Sequence, residues 1–218
     1  MTNTSGDWTL CLLGRVRTII EEALLQEGVC RIMLTGGRSA SQFYGAWSAS
    51  VDNPSSFSGI HFYFGDERCV PPDHPESNYR MATEALFPNG IPDNVQVHRM
   101  ESDSADKDGA ADRYATDLPD RMNLLLLSMG EDGHIASLFP HSAALKETNK
   151  RVLTILGPMP PYLRMTITPP VIRNARHVLV MALGQQKRAM YEEALRNPSD
   201  IDTLPARLVL DRTWIFGE

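Results

Sequence analysis

The residues best suited to chemistry gather around His134, in the run Asp132-Gly133-His134. An imidazole titrates near neutral pH, so a histidine held on a loop can take a proton and give it back. Asp132, two residues upstream, is close enough along the chain to fix which ring nitrogen carries the hydrogen. Three further devices suit an anion. In Thr35-Gly36-Gly37-Arg38-Ser39 the glycines let the backbone approach a ligand, and the free N–H groups of a helix start attract negative charge. Thr35 and Ser39 add hydroxyl donors. Gly184-Gln185-Gln186-Lys187 repeats that layout, and Lys187 lies in a first helical turn, where a cation works against the dipole and points to an anion nearby. Arg164 opens an otherwise apolar extended segment. Converging at strand ends, these groups would suit a phosphate monoester. Taken singly, a Gly-Gly pair is more often a plain turn and Lys187 a solvated lysine. Asp66-Glu67-Arg68 reads equally as a surface salt-bridge cluster or as groups that orient a sugar or polarise a carbonyl.

Other chemistries find no support. The Gly-Gly turn is neither a Walker A loop nor G-x-G-x-x-G, and Gly37-Arg-Ser-Ala-Ser41 misses a nucleophile elbow at its last glycine. Ser137 lies three residues past His134, but nothing marks it as activated. With no H-E-x-x-H and no tight His/Asp cluster, no metal is expected.

These groups need strands and turns to hold them. Four leucines, Leu124 to Leu127, end at Ser128-Met129-Gly130 and suit a strand buried on both faces. Gly130 and Gly133 bracket the turn that presents His134, and Ile135 to Phe139 reads as a brief helical turn closed by Pro140. Apolar residues at helical spacing mark a helix over Trp8–Glu27, with Gly28 past its end. Cys30–Thr35 reads as a strand, Ser39 as the cap of a second helix through Trp47, and Ile60–Phe64 as another strand. Gly65–Glu76 reads as a long loop, Ser77 as the cap of a third helix, and Val95–His98 as a short strand. Ser102–Leu118 reads as an exposed helix broken near Gly109. Arg151–Leu156, Arg164–Thr168, His177–Leu183 and Thr213–Phe216 read as strands. Gln185–Arg196 is expected to be helical with a Glu192–Arg196 pair, and Ile201–Leu210 helical as well. The alternation predicts an α/β fold, Rossmann-like, with a largely parallel sheet flanked by helices and ligands at the strands' carboxyl ends.

At 218 residues and a net charge of −6, the chain reads as a single domain over 1–218 that is no non-specific nucleic-acid binder. A membrane span would need about 18 consecutive apolar residues, and none occurs. Met1–Asp7 is polar and carries no secretory pattern. Cys11, Cys30 and Cys69 form no C-x-x-C, which suits a reducing compartment, the cytoplasm. His61, His98 and His177 sit at strand ends and read as structural; His74 and His141 have no clear role.

Several motifs occur in one order along nearly the whole chain: Leu34-Thr-Gly-Gly37, Gly65-Asp-Glu-Arg68 with Val70-Pro71, Ser77-Asn78, Met129-Gly-Glu-Asp-Gly-His-Ile-Ala-Ser-Leu-Phe-Pro140, Arg164-Met-Thr-Ile-Thr168 and Gly184-Gln-Gln-Lys187. In these the chain resembles the 6-phosphogluconolactonase family. The related glucosamine-6-phosphate deaminases share the Gly-Gly loop and an Asp-Gly-His, but carry a Phe-Asn-Glu-Pro type segment after it. The resemblance implies the Rossmann-like fold of the sugar-phosphate isomerases and CoA transferases. It also implies hydrolysis of 6-phosphoglucono-δ-lactone in the oxidative pentose phosphate pathway, with no metal or organic cofactor. Carried over by position, Gly36, Gly37, Arg164 and Lys187 would hold the phosphate, with Thr35 and Arg38 beside them. Arg68 would contact the substrate, His134 would act in hydrolysis, and Asp66 and Gly133 are further candidate contacts. The expected partner is a small sugar-phosphate lactone, and the assembly a monomer or weak homodimer. The chain departs from the family at Arg38 and Ala40, where a Ser/Thr and a Pro are usual, and at His141, where a glycine is usual. Two rival readings stay open: a deaminase or isomerase with Asp66 as base, and a non-catalytic sugar-phosphate sensor.

Overall fold

The structure, a computed structural model, describes residues 7–51 and 57–217 and the backbone of residues 2 and 3. The remainder of the polar stretch before Asp7 lies outside them. In chain order the elements are β1 (Thr2–Asn3), α1 (Trp8–Glu27), β2 (Cys30–Leu34), α2 (Arg38–Ala49), β3 (Ile60–Phe64), β4 (Asp66–Arg68), α3 (Asn78–Leu86) and β5 (Gln96–Val97). There follow α4 (Lys107–Asp117), β6 (Leu124–Ser128), β7 (Val152–Leu156), β8 (Leu163–Ile167), α5 (Pro169–Asn174), β9 (His177–Leu183), α6 (Gln185–Arg196) and β10 (Thr213–Gly217).

Among the described residues, seven strands form one sheet in the order β1-β10-β9-β6-β2-β3-β5, and every neighbouring pair is parallel. The leucine run is its centre. Leu124, Leu125, Leu126 and Leu127 are all 0% exposed, as a strand covered by helices on both faces must be. The largely parallel α/β sheet expected from the alternation is therefore present.

A second sheet was not legible in that pattern. β4, β8 and β7 form an antiparallel three-stranded unit beside the main sheet. The segment expected to be loop from Gly65 onward begins with one of its strands, and the Arg151 and Arg164 strands join it rather than the parallel layer. Strand propensity specifies an extended backbone but not its partner.

Smaller corrections concern helix ends. Asp7 caps α1 by accepting from Thr9 N, and Gly28 closes it in the left-handed region. Ser77 caps α3 as expected. Ser39 does not cap α2: the helix already begins at Arg38, with Gly37 as its N-cap. α4 runs unbroken through Gly109, which lies in its first turn and donates to the Asp106 side chain at 2.9 Å. Arg196 pairs with Glu193 at 2.5 Å, not with Glu192. Within 201–210 only Pro205–Val209 is helical, as a 3₁₀ turn. Ile135 to Phe139 is not helical either. Ile135 bridges to Met129 and Leu138, and Ala136 takes φ of 49°. Ile135 and Leu138 are both fully buried, so core packing overrides the local helical signal.

Candidate active site

The carboxyl ends of β2, β3 and β6 meet the second sheet and the start of α6 around a cleft of about 140 Å³. It is lined by Thr35, Gly36, Gly37, Asp66, Arg68, Asn78, Ser128, Met129, Gly130, His134, Ala136, Arg164 and Lys187. A larger cavity, about 560 Å³, lies between α2 and the end of α3 and is lined mainly by Phe57, Leu86, Phe87 and Pro88. Among the described residues no titratable side chain lines it, and the titratable groups gather at the smaller cleft.

His134 is held by its own loop. Gly130 N donates to His134 O at 2.8 Å and Gly133 N to Gly130 O at 3.1 Å. A side chain on Gly130 would collide with the His134 ring, while Gly133 turns at φ of 78° under Leu204. The two glycines thus do different work: one lets the ring fold back, the other turns the chain. Asp132 Oδ1 contacts His134 Nδ1 at 2.5 Å and accepts from His134 N at 3.1 Å. With Nδ1 engaged, Nε2 is the nitrogen left for a substrate. Burial opposes ionisation of Asp132, but the hydrogen bonds and charge of His134 outweigh it and hold the carboxyl below its usual range. Phe139 packs against His134 with ring centroids 4.6 Å apart, and the Arg164 guanidinium lies 5.6 Å from the centroid of the Phe139 ring.

The cations come from different elements. On facing rungs of the second sheet, Arg68 stands opposite Arg164, and Asp66 opposite Thr166. Two arginines side by side repel. Burial, and then Arg68, lower the Arg164 pKa, while Asp66, Glu76 and Glu67 act against them. The Nε atoms of both arginines are buried without a partner. Lys187 lies in the first turn of α6, where burial lowers its pKa, Glu131 raises it and Arg38 lowers it further. An anion between these groups would offset the lowering at Arg164 and Lys187.

The backbone at the two glycine turns is ready for that anion. α2 and α6 both start from a glycine with positive φ, Gly37 at 97° and Gly184 at 89°, and neither has a side-chain cap. Their first N–H groups are thereby left to the cleft and to solvent. The Tyr44 hydroxyl clamps the first turn from behind, accepting from Thr35 N and donating to Thr35 O, both at 2.9 Å. A side chain on Gly36 would run into the Asn78 amide.

Of the residues singled out in the sequence, the fold gathers Thr35, Gly36, Gly37, Asp66, Arg68, His134, Arg164 and Lys187 on one cleft. Asp132 stands behind His134. Gly133 is buried beneath Leu204, and Arg38 is exposed on the first turn of α2, so neither lines the cleft. Asn78, Ser128 and Ser137 had been given no role. Asn78 donates to Asp66 O at 2.9 Å and Asp66 Oδ1 at 3.2 Å. Beside it, the buried Glu67 carboxylate accepts from Arg68 N, Asn78 N and Tyr79 N, each at 2.7 Å, and from Ser77 Oγ at 3.0 Å. Glu67 is thus a helix-start anchor, and burial pushes its pKa up against those hydrogen bonds. A helix-capping carboxylate eleven residues upstream leaves no local signature. Among the described residues no three His, Cys, Asp or Glu side chains converge as a metal site, and no helix is long and apolar enough to cross a membrane.

The family model for glucosamine-6-phosphate isomerases/6-phosphogluconolactonase matches residues 7–216. A 6-phosphogluconolactonase of Synechocystis sp. is 33% identical over 204 residues, covering 89% of this chain and 83% of that protein. One from Streptomyces coelicolor is also 33% identical, covering 86% and 78%. The crystal structure of 6-phosphogluconolactonase from Thermotoga maritima matches with a TM-score of 0.84 at 27% identity, over 99% of this chain and 97% of that one.

Proposed function

The chain belongs to the glucosamine-6-phosphate isomerase/6-phosphogluconolactonase family, and from that premise we propose that it hydrolyses 6-phosphoglucono-δ-lactone to 6-phosphogluconate. The observation that carries this reading is the 2.5 Å contact of His134 with Asp132 on a cleft that also holds Arg68, Arg164 and Lys187. A proton-transfer group and an anion-binding set share one small space.

In this reading the phosphate rests on the N–H groups of the Gly36–Gly37 turn and on Lys187 and Arg164. Its binding energy positions the lactone ring over His134. Nε2 takes a proton from water as the water oxygen attacks the lactone carbonyl carbon. Arg68, with backbone N–H groups, stabilises the oxyanion that forms. Collapse of the tetrahedral intermediate breaks the bond to the ring oxygen, which receives the proton back from His134. Asp132 keeps the imidazole in the tautomer that leaves Nε2 free and stabilises the transient imidazolium. Such a reaction belongs to the oxidative branch of the pentose phosphate pathway.

The lactone also opens unaided, so the test is an assay coupled to lactone loss and run against a no-enzyme control. Acceleration over that control is expected. Ammonia release from glucosamine 6-phosphate, or binding of 6-phosphogluconate with no acceleration, would replace this reading by a deaminase or a sensor.

A further inference from the structure

Ser137 is fully buried and lies three residues beyond His134, yet it is not part of the cleft wall. Its hydroxyl and its backbone N–H both reach across to the second sheet. Its Oγ donates to Asp66 Oδ2 at 2.6 Å, and its backbone N donates to Thr166 Oγ1 at 3.1 Å. Asp66 faces Thr166 across β4 and β8, and past the Glu67–Met165 pair the next facing pair on the same side of the sheet is Arg68 with Arg164. One residue of the His134 loop is therefore docked on the rung beside the two arginines, about 7 Å from it along the strands.

We propose that Ser137 is a positioning residue: it sets the distance between the acid-base histidine and the arginine pair by joining the loop after β6 to the β4–β8 rung. The inference rests on the hydrolase reading above. Three observations favour a joint over a nucleophile or a plain core serine. The hydroxyl points at Asp66 and not into the cleft, whose wall does not include the fully buried Ser137, so it has no route to a substrate. A charge-assisted hydrogen bond between two buried groups is among the stronger ones available to a side chain. Ile135 and Leu138 fix the loop in the core and its own hydrogen bonds shape the turn, while Ser137 carries hydrogen bonds that tie it to the second sheet. The same bond occupies Asp66, whose other oxygen accepts from Asn78, and Asn78 packs over Gly36. One hydroxyl thus ties the histidine loop, the arginine rung and the glycine turn into one frame. A displacement of about 1 Å of such groups lowers turnover by about a hundredfold.

Ser137→Ala is expected to lower kcat by about ten- to a hundredfold, while KM for the lactone and Kd for 6-phosphogluconate change less than about threefold. Because Ser137 acts through His134, adding Ser137→Ala to His134→Ala should cost almost nothing more. Thr166→Val, which removes the second anchor at nearly constant volume, should show the same pattern and serves if Ser137→Ala does not fold. A variant with lowered Tm but wild-type kcat, or losses that multiply in the His134→Ala background, would overturn the proposal. The wild-type acceleration is read in the same assay, so failure of the hydrolase reading shows separately. In that event the His134 ring proton resonance of the ligand-free protein decides: it should move in Ser137→Ala, and an unchanged resonance refutes the joint.

Discussion

At the scale of single residues, His134 and Lys187 should fail in different ways. In the proposed mechanism, removing the imidazole takes away the proton acceptor while the phosphate grip remains, so His134→Ala should lower kcat by about 10² to 10⁴ and leave 6-phosphogluconate binding largely intact. Near-normal turnover in that variant would remove His134 from the chemistry. In the proposed reading Lys187 holds the phosphate, far from the bond that breaks. Lys187→Ala should raise KM by about ten- to a hundredfold with a small change in kcat, and steady-state kinetics separate the two. Asp132-Gly133-His134 was readable in sequence because its parts are adjacent and the dyad needs no partner from elsewhere. Arg38 does not line the cleft: on the first turn of α2 its side chain is exposed, though its charge still reaches Lys187. His141 departs from the family's glycine yet keeps a glycine-like backbone, with φ of 61° and its ring on Asp202 at 2.9 Å.

Among elements, the decisive ones are strand ends. β2 gives way to the glycine turn at Thr35, and a buried tyrosine of α2 satisfies both backbone groups there. Tyr114 of α4 does the same for Phe64 at the end of β3, accepting from its N at 2.7 Å and donating to its O at 3.1 Å. Each clamp fixes a strand's carboxyl end where the cleft begins. Tyr44→Phe removes one oxygen and strands a buried N–H and C=O of Thr35. It should lower stability by about 1 to 3 kcal/mol and Tm by about 2 to 4 °C for each kcal/mol, with KM rising as the turn loosens. Calorimetry and kinetics on one preparation test both, and an unchanged Tm would mean that Thr35 is held by something else. The parallel strands were visible as apolar runs, but these clamps were not, since Tyr44 looks like any aromatic on a helical stripe. The antiparallel unit was missed for a related reason. β7 (152–156) and β8 (163–167) are neighbours in sequence, but β4 (66–68) pairs with β8 from far upstream, and pairing across such a gap is decided by which edges meet in three dimensions.

Over the whole molecule, the net charge of −6 contrasts with a cleft rich in cations, so an anionic ligand is drawn to one place. Stability should depend on pH in two windows. Burial lowers the pKa of His61, His98 and His177, with Arg31 and His61 adding to the effect on the first two. Histidines depressed in the folded state stabilise it above about pH 6.5 and lose that contribution as pH falls below. Asp103, through its bond to Arg99, and Asp202, through His141, lie below the usual carboxylate range. Their contribution is present above about pH 4 and lost as pH falls further. Tm should therefore decline first as pH falls below about 6.5 and again below about pH 4; a Tm that stays flat until about pH 4 would remove the histidine contribution. What the chain alone determined is local: the buried leucine strand, the Asp132–His134 dyad, the two glycine turns that open helices and the alternation that makes a parallel sheet. Those features are written in adjacent residues, because period, turn chemistry and capping act over a few positions. Only the tertiary structure decided that Arg68 faces Arg164, that Glu67 anchors α3, and that Ser137 reaches Asp66 across a sequence gap of 71 residues. Those contacts arise from how two sheets meet, and packing between surfaces has no periodicity along the chain to reveal it.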